Sequence, residues 1–128
     1  MADERFDVLF LGAYTKDTVV VGALERTVDG GAFYYGASVA ARAGLSTAAV
    51  TRLSRQDMGV VEELRSLGIV VAAVETPEST CLRLVYSEAD PDRREIFVES
   101  TAGGFAADDL GSWRADAAVV GASFRGEV

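Results

Sequence analysis

Four short, almost uninterrupted apolar runs constrain the fold of this chain more than any other feature. They are FDVLFLGA (6–13), STAAVTRL (46–53), GIVVAAVE (68–75) and ADAAVVGA (115–122). Runs of this length without polar alternation are typical of strands buried on both faces, as in a parallel sheet. We therefore predict that they form the core sheet of an α/β domain.

Two segments between these runs have helical patterns. The first is predicted to begin near Tyr34 and has a small-residue face, formed by Ala37, Ala40, Ala41 and Gly44. The second, 56–67, spaces its apolar residues at helical intervals and is followed by Gly68, a suitable C-cap. Strands that alternate with helices in this way predict crossover connections in a parallel sheet.

Two further segments interrupt the alternation and predict a small antiparallel sheet that projects from the core. KDTVVVGALERTVDG (16–30) alternates like a one-sided strand pair. STCLRLVYSEADPDRREIFVES (79–100) is predicted to form a long hairpin, with Leu82, Leu84 and Tyr86 on one face. The charged stretch 88–95 is interpreted as its solvated tip.

Composition excludes several classes of site and partner. The 128 residues correspond to about one domain. A formal net charge of −8 argues against a nucleic-acid or anionic-membrane surface. Cys81 is the single cysteine and histidine is absent, so a cysteine-rich zinc site and a Ser-His-Asp or Cys-His nucleophile are excluded.

The two ends of the chain lead to two further expectations. MADERF is not a signal peptide, and no apolar run reaches the roughly 18 residues of a membrane span, so we expect a cytoplasmic protein. The fourth apolar run is not followed by a covering helix, so we expect the domain to be incomplete at its C-terminus.

The stretch GGAFYYGASVAARAG (30–44) allows two interpretations. Gly30 and Gly31 precede the first helix, where they permit positive φ and close approach of a ligand to free backbone N–H groups. The alternative is a loop and helix that simply pack tightly on the sheet. The stretch is not a Walker loop, because no Gly-Lys-Ser/Thr follows, and Gly12 alone makes no dinucleotide fingerprint.

Other candidate residues also keep a structural alternative. Asp17 follows the first strand and can accept hydroxyl hydrogens of a polyol, or it is a solvated turn residue. Tyr34 and Tyr35 offer flat faces and phenolic donors, or they are half-buried packing. Cys81 is interpreted as a small core residue, and the pair 108–109 as the acidic start of a short helix.

Five stretches in this order resemble the N-terminal portion of the ribokinase-like (PfkB) carbohydrate kinase family. DVLFLGAYTKD is similar to the family's opening strand, and GGAFYYGASVAARAG to its first signature. TRLSRQDMGVVEELRSLGIVV resembles the segment after the second core strand, STCLRLVYSEADPDRREIFVES the lid hairpin, and TAGGFAADDL the loop that comes after it. Together they cover nearly the whole chain.

The resemblance implies a three-layer α/β/α fold with a β lid, in which core elements span about 6–13, 32–75 and 102–122 and lid strands about 16–29 and 79–100. Members transfer the γ-phosphoryl group of ATP, with Mg²⁺, to a hydroxyl of a small polyhydroxylated substrate. Carried over by position, the substrate-binding residues are Asp17, Gly30, Gly31, Tyr35, Thr15 and Leu82 or Leu84. Lids of this family often pair between subunits, which implies a possible homodimer.

Departures from the family pattern limit these expectations. Tyr35 and Thr15 stand where the family has asparagines, Ala32 where it often has lysine, and Ala122 near a frequent acidic residue. These changes favour an aromatic-lined pocket for a cyclitol, a nucleoside or a modified sugar. The Gly-x-Gly-Asp catalytic base and the ATP site belong to a second signature absent from this chain. Two functions are consistent with this pattern: the substrate-binding half of a kinase, inactive alone, or a non-catalytic module for ligand binding or lid-mediated self-association.

Overall fold

Residues 4–128 form two four-stranded sheets with two helices. A computed structural model describes residues 4–128, so the first three residues of MADERF lie outside the described part. Along the chain the elements are β1 (Arg5–Leu11), β2 (Thr15–Val21), β3 (Leu24–Gly30), α1 (Ala32–Arg42), β4 (Thr47–Leu53), α2 (Gly59–Ser66), β5 (Val70–Glu75), β6 (Thr80–Tyr86), β7 (Arg94–Ser100) and β8 (Arg114–Val120), with 3₁₀ turns at Arg55–Asp57 and Ala107–Leu110.

The four apolar runs form one parallel sheet, the core sheet, as their composition predicts. The strand order is β5-β4-β1-β8, and each neighbouring pair is parallel. The two central strands, β1 and β4, are mostly buried, whereas β8 at one edge is exposed along most of its length.

Both helices pack on one face of the core sheet. Their buried residues form a single cluster with the sheet, to which α1 contributes Phe33, Ala37 and Ala40 and α2 contributes Val60, Val61 and Leu64. The opposite face is covered by the segment before β8, through Phe105, Leu110 and Trp113. No helix within residues 4–128 is long and apolar enough to span a membrane.

Helix α1 begins at Ala32, two residues earlier than the pattern around Tyr34 suggests. Gly31 precedes the helix with a φ of 102°, a conformation that glycine adopts readily, and its carbonyl accepts hydrogen bonds from the Tyr34 and Tyr35 N–H groups. At Gly36 an added Cβ would lie 2.3 Å from a ring carbon of Phe10. The absence of a side chain at Gly36 therefore lets α1 approach β1 of the core sheet closely.

The lid is a separate sheet with the order β3-β2-β6-β7. It differs in one detail from the antiparallel sheet that the sequence suggested, because β2 and β6 pair in parallel while the two outer pairs are antiparallel. The reason lies in the core sheet: β1 leads into β2 and β5 leads into β6, and two parallel strands deliver the chain to the lid in the same direction.

Candidate functional site

The candidate site lies where the carboxyl end of β1 passes into the lid. Thr15 and Asp17 are on β2, Gly30 ends β3, and Gly31 precedes α1. An added Cβ on Gly30 would lie 2.4 Å from Asp17 Oδ2 and 2.9 Å from Thr15 Oγ1. The structure therefore brings Thr15, Asp17 and the two glycines together, although Gly30 and Gly31 are far from Asp17 in sequence.

Asp17 is the group of this cluster that has an unsatisfied hydrogen-bond acceptor. Its Oδ1 atom is buried and has no hydrogen-bond partner among the described residues. Burial raises the pKa of the Asp17 carboxyl, while a hydrogen bond from the Thr15 side chain and the charge of Arg94 act in the opposite direction. A buried carboxylate oxygen without a hydrogen-bond donor is unfavourable, so this atom is suited to accept a hydrogen bond from a ligand hydroxyl.

Asp17 lies within a strand, as the strand pair predicted for 16–30 implies, and not in a turn. Asp17 is the third residue of β2 and pairs with Val28 of β3 and Leu82 of β6. The interpretation of a solvated turn aspartate is therefore wrong.

Leu82 lies beside Asp17 on the same face of the lid. Residues paired in register project to the same side of a sheet, and Asp17 pairs with Leu82, which in turn pairs with Val98. The next positions on this face are Leu84 and Ile96. One carboxylate is thus surrounded by aliphatic side chains, an arrangement that suits a ligand with both hydroxyl and C–H surfaces.

The two tyrosines at the start of α1 point in different directions. The Tyr35 hydroxyl donates a hydrogen bond of 3.1 Å to the carbonyl of Asp29, the residue before Gly30. The Tyr35 ring lines an apolar groove between α1 and β1. The Tyr34 hydroxyl donates a hydrogen bond of 2.8 Å to Glu63 on α2. This hydrogen bond is the main cause that raises the pKa of Tyr34 to about 12. Of the pair, Tyr35 is the one near the site.

Glu127 is a residue that the sequence analysis missed. Its side chain is fully buried, and its carboxylate accepts hydrogen bonds from the Ala13 N–H at 2.8 Å and from the Ser123 N–H. Ala13 lies at the carboxyl end of β1, and its carbonyl would be 2.6 Å from a Cβ added to Gly31. An acidic group therefore reaches this edge of the core sheet, although Ala122, which stands near the frequent acidic residue of the ribokinase-like pattern, is apolar.

Other candidates have structural roles. Asp109 accepts a hydrogen bond from the Ala106 N–H and forms an ion pair with Arg52, which fits the predicted start of a short helical turn. Cys81 is partly buried on β6 and free of a disulfide. Within residues 4–128 no group of three or more His, Cys, Asp or Glu side chains could hold a metal ion.

Comparison with solved structures shows clear relatives. A pyrophosphate-dependent kinase in the ribokinase family is 30% identical with a TM-score of 0.85, and the match covers 94% of this chain and 42% of that one. A pyrophosphate-dependent kinase of the same family, complexed with a pyrophosphate analog and myo-inositol, is 27% identical with a TM-score of 0.83 over 94% of this chain and 41% of that one.

A more distant likeness supports the same fold. Ribokinase from Cryptococcus neoformans var. grubii serotype A, in complex with ADP, is 15% identical with a TM-score of 0.71, over 94% of this chain and 41% of that one. No family model matches the sequence, and no curated protein matches it closely. The solved structures confirm the ribokinase-like α/β fold class with a β lid, and the chain spans about 40% of their length.

Proposed function

We propose that this chain, which resembles ribokinase-family (PfkB) kinases in fold and sequence, is the acceptor-binding part of such a kinase. The acceptor is a small neutral polyol, with a cyclitol such as myo-inositol as the first candidate. The observation that carries the proposal is the buried Asp17 Oδ1 without a partner among the described residues. The 27% identical kinase complexed with myo-inositol supports the choice of ligand.

Each residue of the candidate site has a defined part in acceptor binding. Asp17 accepts hydrogen bonds from ligand hydroxyls. The Thr15 side chain donates a hydrogen bond to the Asp17 carboxylate and holds it in place. Gly30 leaves room for the Asp17 carboxylate and Gly31 for the Ala13 carbonyl, and both present only backbone to the ligand at the start of α1. Leu82 covers the C–H surface of the ring, and Tyr35 borders the site beside Gly30.

Phosphoryl transfer requires groups outside the candidate site. The family implies ATP with Mg²⁺ as donor, and the metal ion neutralises charge on the transferred phosphoryl group. Pyrophosphate is the alternative donor, because the 30% identical kinase is pyrophosphate-dependent. The Gly-x-Gly-Asp base has no counterpart in this sequence, so we expect the 128-residue chain to bind the acceptor without phosphorylating it. A cytoplasmic location is part of the proposal, and the free Cys81 suits a reducing compartment.

Isothermal titration calorimetry of the chain with myo-inositol tests the proposal. We expect binding by the wild-type chain and a loss of about tenfold or more in affinity for Asp17→Asn, because a hydrogen bond to a charged acceptor is removed. Asp116→Asn is the matched control, since Asp116 on β8 forms an exposed ion pair with Arg5 at the start of β1, at the other end of that strand from the site. Equal affinity of all three proteins would contradict the role of Asp17.

Self-association through the lid is the alternative function, and the exposure of β7 favours it. This edge strand leaves Ile96, Phe97 and Val98 51%, 48% and 48% exposed. An exposed apolar edge strand can add to a second sheet. Sedimentation equilibrium should then show a dimer that Val98→Lys dissociates, while Val39→Lys on α1, where Val39 is 68% exposed, leaves it intact. A monomer at all concentrations would exclude this alternative.

A further inference from the structure

A second carboxylate, Asp57, joins the lid to the core sheet. It lies in the 3₁₀ turn that follows β4, and its side chain is only 7% exposed. Its Oδ1 accepts a hydrogen bond from Lys16 Nζ at 3.0 Å. Its Oδ2 accepts one from Ser79 Oγ at 2.6 Å and one from Ser54 Oγ at 3.1 Å. All the donors lie within hydrogen-bond distance of one carboxylate.

The three donors belong to three different segments. Lys16 is the second residue of β2, Ser79 immediately precedes β6, and Ser54 immediately follows β4. Ser79 Oγ also accepts a hydrogen bond from the Ser54 N–H at 2.9 Å. Asp57 therefore connects the N-terminal ends of the two parallel lid strands to the end of a central core strand.

The same contacts fix the backbone beside the acceptor site. Neighbouring residues of a strand project to opposite faces, so Lys16 reaches Asp57 on one face while Asp17 projects from the other. Ser79, just before β6, is three residues before Leu82, the residue in register with Asp17. Movement of Lys16 or Ser79 away from Asp57 would displace Asp17 and Leu82 together.

We propose that Asp57 is a positioning residue of the acceptor site, which holds Asp17 and Leu82 in place by anchoring β2 and β6 to the core sheet. This inference rests on the proposed function, because it assumes that Asp17 and Leu82 contact the acceptor. Asp57 itself is directed away from them and acts through Lys16 and Ser79.

The ionisation of the two partners agrees with this geometry. Burial alone would raise the pKa of Asp57, but the hydrogen bonds from Ser79, Lys16 and Ser54 outweigh it and the pKa is lowered. The hydrogen bond to Asp57 is also the main cause that raises the pKa of Lys16. Both groups are therefore charged when the lid is anchored, and charged hydrogen bonds are stronger than neutral ones.

Hydrogen–deuterium exchange and calorimetry on the 128-residue chain test the inference. Asp57→Asn removes the charge that holds Lys16, and Ser79→Ala removes one donor and serves if the first variant does not fold. Asp109→Asn is the matched control: this carboxylate is 10% exposed, pairs with Arg52 at 2.8 Å, and accepts a hydrogen bond from the Ala106 N–H, outside the lid strands.

We expect Asp57→Asn to speed exchange in 15–21 and 80–86 by about tenfold or more relative to 5–11 and 47–53, and to weaken myo-inositol binding by a similar factor. Asp109→Asn should leave the ratio of lid to core exchange unchanged even if it lowers global stability. Exchange that rises uniformly in Asp57→Asn, or a lid response that Asp109→Asn shares, would overturn the inference. If wild-type chain binds no myo-inositol, the proposed function fails, while the exchange pattern still decides whether Asp57 anchors the lid.

Discussion

Replacing Gly30 by alanine separates the geometry of the acceptor site from the stability of the fold. An added Cβ would lie 2.4 Å from Asp17 Oδ2 and 2.9 Å from Thr15 Oγ1, whereas ordinary contacts begin at 3.4 Å. The backbone of Gly30 is not in the positive-φ region, so alanine adds no backbone strain. The main response required is a movement of the Asp17 carboxylate by about 1 Å.

A movement of this size has a large effect on binding and a small one on folding. A hydrogen bond from a ligand hydroxyl to Asp17 is lost when donor and acceptor separate by about 1 Å. Such a bond to a charged group contributes about 1.5–3 kcal/mol, or roughly ten- to a hundredfold in dissociation constant. Because Asp17 can rotate, the loss in the free energy of unfolding should stay below about 1 kcal/mol.

Calorimetry with myo-inositol and urea denaturation followed by circular dichroism measure the two effects on the same protein. Gly31→Ala is the contrasting variant: Gly31 has a φ of 102° and its added Cβ would meet the backbone carbonyl of Ala13 at 2.6 Å. We expect it to lose about 1–3 kcal/mol of stability or more. Wild-type affinity in Gly30→Ala would refute the placement of the acceptor against Asp17.

Three further predictions concern titration and packing. Asp17→Asn should raise the melting temperature of the ligand-free chain at about pH 7. Burial raises the pKa of Asp17 in the folded state, so the stability that this group provides when protonated is lost as pH rises through that pKa. Differential scanning calorimetry should show the gain disappearing below the ordinary pKa of 3.8, where the carboxyl is neutral in both states. Leu64→Ala, at a fully buried position of α2, should cost about 2–5 kcal/mol in urea denaturation, and Leu67→Ala, 36% exposed, much less; equal losses would contradict the assigned core. Gly36→Ala should cost about 1–3 kcal/mol because its Cβ would meet Phe10 at 2.3 Å, and an unchanged denaturation midpoint would show that α1 can move away from the sheet.

The parallel core was predictable because its information is local. Each strand is a contiguous apolar run, and a strand buried on both faces needs no polar alternation. The lid hairpins were predictable for the same reason, from the alternation in 16–30 and 79–100. The family resemblance also brought Gly30, Gly31 and Asp17 to one site, and the structure places Gly30 against Asp17 with Gly31 beside it.

The remaining features depend on contacts between distant parts of the chain. Glu127 owes its position to the Ala13 N–H, a partner that no local pattern indicates. The parallel pairing of β2 with β6 results from the directions of β1 and β5, which only the assembled sheet defines. The sequence analysis did not single out Asp57, because its three donors come from segments that meet only in the folded chain.

The pairing of Thr15 with Thr80 at the start of the lid has a consequence for the order of folding. The residues between them form β3, α1, β4, α2 and β5, so β2 and β6 meet only after that intervening chain has become compact. Closing so long a loop before the core exists is entropically unfavourable, and non-local pairing of this kind slows folding. The part of the core sheet formed by β1, β4 and β5, whose pairs are closer in sequence, should therefore form in the transition state, and the lid afterwards. In stopped-flow measurements, Ile96→Ala in β7 should accelerate unfolding and leave the folding rate almost unchanged.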